Sequence, residues 1–121
     1  MRNVFILGIF AVALIIFAGC GKKSGVFGQP LQENKATRIA DVLTHPEQFT
    51  GKTTRVEATI VDECPAGGWF MLKDDTGIIY VNLHPSNFAI PQAVGGKAVA
   101  EGVVKKQGPQ ISVVGKGVEI K

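Results

Sequence analysis

Between Thr53 and Leu83 three strand-like runs follow one another, parted by Cys64-Pro65-Ala66-Gly67-Gly68 and by Asp74-Asp75-Thr76-Gly77. Proline fixes φ, glycine permits positive φ and aspartate bonds its neighbouring backbone, so both joints read as turns and the runs beside them as antiparallel hairpins. A chain built around such a meander is committed to a sheet. In the first run Val56, Ala58 and Ile60 face one way while Arg55, Glu57 and Thr59 face the other, which is the period of a half-buried strand. The second, Trp69-Phe70-Met71-Leu72-Lys73, is apolar on both faces, so one large ring lies outside the core in either register. Alternation leaves open whether that ring is Trp69 or Phe70. In the third, Ile79, Val81 and Leu83 form the core set and Ile78, Tyr80 and Asn82 the outer set, so Tyr80 shares the exposed face with one of the two.

Upstream of the meander, Ile39, Val42 and Leu43 fall on one helical face that Thr37 can cap, and Pro46 to Phe49 makes a second turn stopped by Gly51. Downstream, His84 to Val94 is too long for a hairpin turn and too rich in proline for a strand. It is expected to hold a short helix and to plug one end of a barrel with Phe88, Ile90 and Val94. Lys97 to about Lys105 returns to strand pattern, with a bulge or bend at Gly102. After a turn at Lys106-Gln107-Gly108-Pro109, Gln110 to Ile120 forms a last strand, broken at Gly115 and Gly117. Five strands with the longest connection between the third and fourth is the order of the OB-fold, a small Greek-key barrel. The expected fold class is therefore all-β: a five-stranded OB-fold-like barrel with a short N-terminal helix and a helical or loop segment between strands 3 and 4. A flat meander sheet is the alternative, and it would leave edges unpaired.

The N-terminal part reads as delivery. Arg2 precedes an uninterrupted apolar run from Val4 to Ala18, and Phe17-Ala18-Gly19-Cys20 closes it with small residues before a cysteine. This is the organisation of a signal peptide. The four closing residues resemble the lipobox of bacterial lipoproteins, with Phe17 where leucine is usual, and the resemblance implies cleavage after Gly19 and acylation of Cys20. As a helix, Val4 to Gly19 would span about 24 Å against a hydrocarbon core of about 30 Å, which is short for an anchor that stays uncleaved. Residues 1–19 are thus expected to be a lipoprotein signal peptide, 20–34 the lipidated cysteine and a flexible tether, and 35–121 the OB-fold-like domain. The domain would then sit in the cell envelope outside the cytoplasm, with the lipid bilayer as partner through Cys20. Because Gly21 follows the cysteine where an aspartate would retain a Gram-negative lipoprotein at the inner membrane, the outer membrane is favoured in such a cell.

With these residues in view, Gly51 to Glu101 resembles a family of small bacterial cell-envelope OB-fold proteins of unknown function. That family joins a Gly-Lys, a strand, a Cys-x-x-x-Gly-Cys-Trp hairpin, a strand-turn-strand, and an aromatic-x-Ile-Pro segment before a Gly-Lys strand. The matching pieces here are Gly51-Lys52, Cys64 with Gly67-Gly68-Trp69, Asp74-Asp75-Thr76-Gly77, Phe88-Ala89-Ile90-Pro91, and Gly96-Lys97 with Glu101-Gly102. Gly68 stands where the second cysteine would be, which leaves the hairpin without a thiol pair.

Three functional readings follow. The first is a non-catalytic binding module that presents Trp69, Phe70 and Tyr80 to an envelope protein or polymer, since OB barrels bind through the face of these strands and the loops around it. The second is metal or thiol chemistry centred on Cys64, which Asp62, Glu63 and His84 could approach if the hairpin folds back. Tight zinc sites need three or four ligands, and only one soft ligand has motif support, so no metal or other cofactor is assigned. The third is single-stranded nucleic-acid binding. It is disfavoured because the net charge is only +3 and Glu57, Glu101 and Glu119 interleave with Lys97, Lys105, Lys106, Lys116 and Lys121. His45 and His84 are the sole histidines, and the chain has no Ser-His-Asp set and no glycine-rich phosphate loop, so no enzyme is expected.

Overall fold

The structure, a computed structural model, describes residues 24–121; the expected signal peptide and Cys20 lie outside the described residues. Strands β2 (Thr53–Glu63), β3 (Trp69–Lys73), β4 (Ile78–Asn82), β5 (Lys97–Gln107) and β6 (Gln110–Ile120) close into a barrel in the order β2-β3-β4-β6-β5, with β5 returning to β2. All neighbours run antiparallel except β4 and β6, which are parallel with Tyr80 opposite Ser112 and Asn82 opposite Val114. That single parallel pair is the Greek-key closure of the OB-fold. Closure rather than a flat sheet follows from β6, whose two edges pair with β5 and β4 and leave neither of those strands at an open edge.

The inward sets of β2 and β4 are those that alternation assigned. Val56, Ala58, Ile60, Phe70, Leu72, Ile79, Val81 and Leu83 are buried, joined by Ala98, Ala100, Val104, Val113, Val118 and Ile120 from the last two strands. Gly102 marks a register shift between Glu101 and Gly102 where β5 crosses β6. The last strand is not broken at Gly115 and Gly117 as expected. It runs through both, because its hydrogen-bonding partners, β5 and the extended segment Gly25–Gly28, carry it past them.

Helix α1 (Ile39–Thr44) lies at the end of the barrel where β3 turns into β4 and places Ile39 and Val42 in the core, with α2 (Pro46–Phe49) following directly. Thr37 does not cap α1. The Asp74 carboxylate, from the β3–β4 turn, accepts Ile39 N–H at 3.0 Å, and the Thr76 hydroxyl accepts Ala40 N–H at 3.0 Å, so a distant turn supplies the cap. At the opposite end, the segment after β4 opens with a 3-10 turn (His84–Ser86) and seals the barrel with Ile90 and Ala93. Phe88 packs against the core beside them, while Val94, expected as part of the plug, is 51% exposed.

The span expected as a flexible tether holds a strand. Strand β1 (Gly25–Gly28) pairs antiparallel with Gly117–Ile120, on the edge that β6 exposes once its pairing with β4 has ended. Beyond it the Glu101 carboxylate accepts the N–H groups of Gln32 (3.0 Å) and Glu33 (2.8 Å), and Arg55 donates to the Glu33 carbonyl at 2.7 Å. Glu101 faces outward yet is only 6% exposed, because this segment covers it. A buried carboxylate needs such donors, and two successive backbone amides provide them.

Candidate functional site

The pleat of β3 resolves the choice that alternation left open. Phe70 is fully buried inside the barrel, which removes it from the candidate ligand-binding set, and Trp69 stands half-buried on the outer face with Met71. Antiparallel pairing sets Trp69 opposite Asn82 and Met71 opposite Tyr80, so the two aromatic rings meet on the diagonal between strands. Their centroids are 5.7 Å apart with the planes tilted by 37°. This geometry suits an attractive aromatic pair and leaves part of each ring open to solvent. The pair is a platform on the barrel wall.

Cys64 stands beside it. Its N–H donates to the Trp69 carbonyl at 3.0 Å as the hairpin opens, and its thiol is partly exposed. Burial pushes the Tyr80 hydroxyl above the ordinary tyrosine range, and the neighbouring Cys64 adds to the shift by disfavouring a second negative charge. Tyr80 therefore stays a neutral hydroxyl at physiological pH, able to donate a hydrogen bond beside the Trp69 ring.

The hairpin that carries Cys64 is tied to the segment after β4. Gly67 N–H donates to the Cys64 carbonyl at 2.8 Å, Ile90 N–H to the Gly67 carbonyl at 3.0 Å, and Leu83 N–H to the Gly68 carbonyl at 2.9 Å. Glu63, weighed as a partner for Cys64, instead accepts Ala93 N–H at 2.9 Å and Val94 N–H at 3.3 Å. Asp62 is exposed and caps Glu63 N–H. Gly67 has φ +78°, and a Cβ there would run into the Ile90 carbonyl. At Gly68 a Cβ would meet the imidazole of His84, within 2.8 Å of Nε2. The ring of His84 thus occupies the space that a second cysteine of the hairpin would need.

Between the hairpin and this segment lies a depression of about 320 Å³, lined by Ala66, Gly68, His84, Asn87, Phe88 and Ala89. His84 N–H is held by Asn82 Oδ1 at 3.1 Å, and Asn87 takes the left-handed conformation at φ 57°. The depression adjoins the platform through Gly68-Trp69 and through Asn82. Sequence reasoning passed over Asn82 and Asn87; the one signal for them was the polar punctuation that ends β4. Metal chemistry gains no support, because no three His, Cys, Asp or Glu side chains converge among the described residues. Nor does a nucleic-acid groove: Lys73 is the sole basic residue of β3 and β4, and the lysines of β5 and β6 lie on other strands of the wall.

No model of a known protein family matches the sequence, and no curated protein does. Among solved structures, the chain is similar to the hypothetical protein ygiW from E. coli, with a TM-score of 0.58 over 78% of this chain and 97% of that one, at 16% identity. At that identity the likeness is one of fold, and it establishes an OB-fold-like barrel shared with a bacterial protein.

Proposed function

We propose that the protein is a membrane-anchored envelope lipoprotein whose barrel is a non-catalytic binding module, with Trp69 and Tyr80 as its contact platform. One observation carries the binding part. The interior is filled by Phe70, Leu72, Ile79 and Val81, so the outer rings of the same two strands are surplus to the core. Aromatic rings held half-exposed on an OB wall supply large contact area at little cost in side-chain entropy. The hydrogen-bonding margin of Asn82, His84 and Asn87 beside the two rings suits an envelope polymer or an extended polypeptide.

The anchoring part stands on sequence: Phe17-Ala18-Gly19-Cys20 after an apolar run predicts cleavage and acylation at Cys20. Two or more acyl chains would hold the protein durably, whereas one holds it marginally. Labelling cells with a radioactive fatty acid should mark the wild-type protein and leave Cys20→Ala unmarked. For the platform, the emission of Trp69 is the readout, since it is the only tryptophan. Titration with solubilised cell-wall polymer should shift it saturably, and Tyr80→Ala should weaken the interaction by about 2 kcal/mol, the scale of an interface anchor. An emission indifferent to wall polymer and to envelope protein fractions alike would remove the platform as a site.

A further inference from the structure

We propose that the barrel end at which the chain enters is a docking surface for the anionic bilayer that holds the anchor, through Val26, Val61, Val94, Lys97 and Lys121. This rests on the reading of Cys20 as acylated. Gly25 lies opposite Ile120, so β1 comes in at the end formed by the finish of β6, the start of β5 and the finish of β2. These three meet there directly: Lys121 N–H donates to the Lys97 carbonyl at 3.0 Å, and Ile60 N–H to the Gly96 carbonyl at 3.0 Å. Cys20 precedes Gly25 by only five residues, a reach of at most about 18 Å fully extended. The opposite end lies the length of eleven-residue strands further away. An acylated Cys20 would therefore keep the entry end near the headgroups.

That end has the chemistry of a membrane interface. Of the four exposed large hydrophobic residues among the described residues, Val26 (56%), Val61 (41%) and Val94 (51%) belong to it, and Ile78 belongs to the other end. Val61 and Val94 are brought together by the hydrogen bond from Gly95 N–H to the Ile60 carbonyl, 2.8 Å. Lys97 and Lys121 stand exposed beside them, and Lys22 and Lys23 lie in the linking sequence. Of the nearby acids Glu57 is paired with Arg55, while Asp62, Glu63 and Glu119 keep their charge, so contact with anionic lipid rests on the exposed ammonium groups of Lys97 and Lys121, with Lys22 and Lys23 added by the sequence. Exposed valines among lysines fit a headgroup boundary, where apolar side chains enter and cations meet anionic lipid. Lys97 starts β5, which pairs with neither β3 nor β4, so its contact with the headgroups lies away from Trp69 and Tyr80.

The test uses the full acylated protein, its acyl chains on Cys20 verified by intact mass, reconstituted into vesicles of phosphatidylglycerol with phosphatidylethanolamine or of phosphatidylcholine alone. Lysine acetylation is followed residue by residue by mass spectrometry. On the anionic vesicles Lys97 and Lys121 should be modified several-fold more slowly than on phosphatidylcholine, with recovery in high salt, while Lys105 and Lys106 at the far end keep one rate throughout. A second readout places tryptophan by Val94→Trp or Ile78→Trp in a Trp69→Phe background, and brominated phosphatidylglycerol should quench the first and spare the second. Acylated protein whose Lys97 and Lys121 react equally on both vesicles, with both tryptophans spared, overturns the docking and leaves the anchor standing. Absence of acyl chains from Cys20 overturns both.

Discussion

Trp69→Ala and Phe70→Ala remove neighbouring rings from opposite faces of one strand, and their burial sets what each truncation costs. Phe70 is fully enclosed by the barrel interior, so its loss leaves a cavity and should cost about 3–5 kcal/mol. Trp69 is half-exposed and has one aromatic partner, Tyr80, at 5.7 Å. Losing half of a large side chain's burial, about 1 kcal/mol, together with part of an aromatic pair of about 0.5–1.5 kcal/mol, gives about 1–2 kcal/mol. Because Trp69 is the only tryptophan, unfolding in urea has to be followed by far-ultraviolet circular dichroism, comparing midpoints at unchanged slope. The free wild-type protein should also emit at a wavelength between those of buried and fully hydrated indole. Equal destabilisation by the two substitutions would refute the argument, because it would make Trp69 part of the core and Tyr80 a lone surface ring.

Further outcomes are expected elsewhere in the barrel. The Asp74 carboxylate accepts Thr76 N–H, the Thr76 hydroxyl, Gly77 N–H and Ile39 N–H; burial pushes its pKa up, yet these donors outweigh burial and hold it below the usual range. With the folded value depressed, its stabilisation is present above the unfolded value of about 3.9 and is lost as pH falls through the folded one. Asp74→Asn should therefore lower stability by about 2 kcal/mol at neutral pH and flatten the acid limb below about pH 4, as read by melting between pH 2 and pH 7. Gly67→Ala forces a side chain at φ +78° onto the Ile90 backbone and should cost about 1–3 kcal/mol for the backbone alone, whereas Gly68→Ala need only displace the exposed ring of His84. Melting separates the two, and a shifted His84 imidazole resonance should mark the second. Glu101→Gln swaps an acceptor facing two amides for an amide group and should cost about 2–3 kcal/mol, with faster hydrogen exchange at Gln32 and Glu33 and none of it at the β2–β3 ladder.

How far the sequence could be read depended on whether the signal was local. Val56, Ala58 and Ile60 declared β2 by period alone, and the Asp74 to Gly77 turn declared its hairpin by residue chemistry. The barrel followed from counting strands and noticing the long connection after Leu83. Where the decision was made by a distant partner, the reading failed. Gly25–Gly28 has no period of its own and becomes a strand because β6 outruns β4 and offers an edge. Thr37 looked like a cap, but Asp74, a turn and a strand away in space, reaches the helix first. Ala93 rather than Val94 fills the barrel end because Glu63 grips both of their amides and fixes which side chain points inward. The choice between Trp69 and Phe70 was beyond alternation in principle, since both faces of β3 are apolar. A register shift between Ile60 and Asp62 in the partner strand helps set it.

Gly68, the position where the resemblance to the two-cysteine hairpin fails, likewise takes its role from a distant partner, His84. A covalent link between two thiols would restrain that hairpin on its own strands. Here the restraint is exported. Gly67 and Gly68 present carbonyls to Ile90 and Leu83, Glu63 holds Ala93 and Val94, and the missing side chain at Gly68 is what allows His84 to lie against the turn. At about 1 kcal/mol for each neutral bond and about twice that for those to a carboxylate, these contacts can equal a disulfide while joining two segments rather than two ends of one turn. They also reach the proposed site from behind. Trp69 follows Gly68 directly and Asn82 precedes Leu83, so the bonds that fasten the hairpin to the segment after β4 fix the strand ends on which the aromatic platform stands. A bound partner would then meet rings already held in place, and little ordering would be left for binding to do.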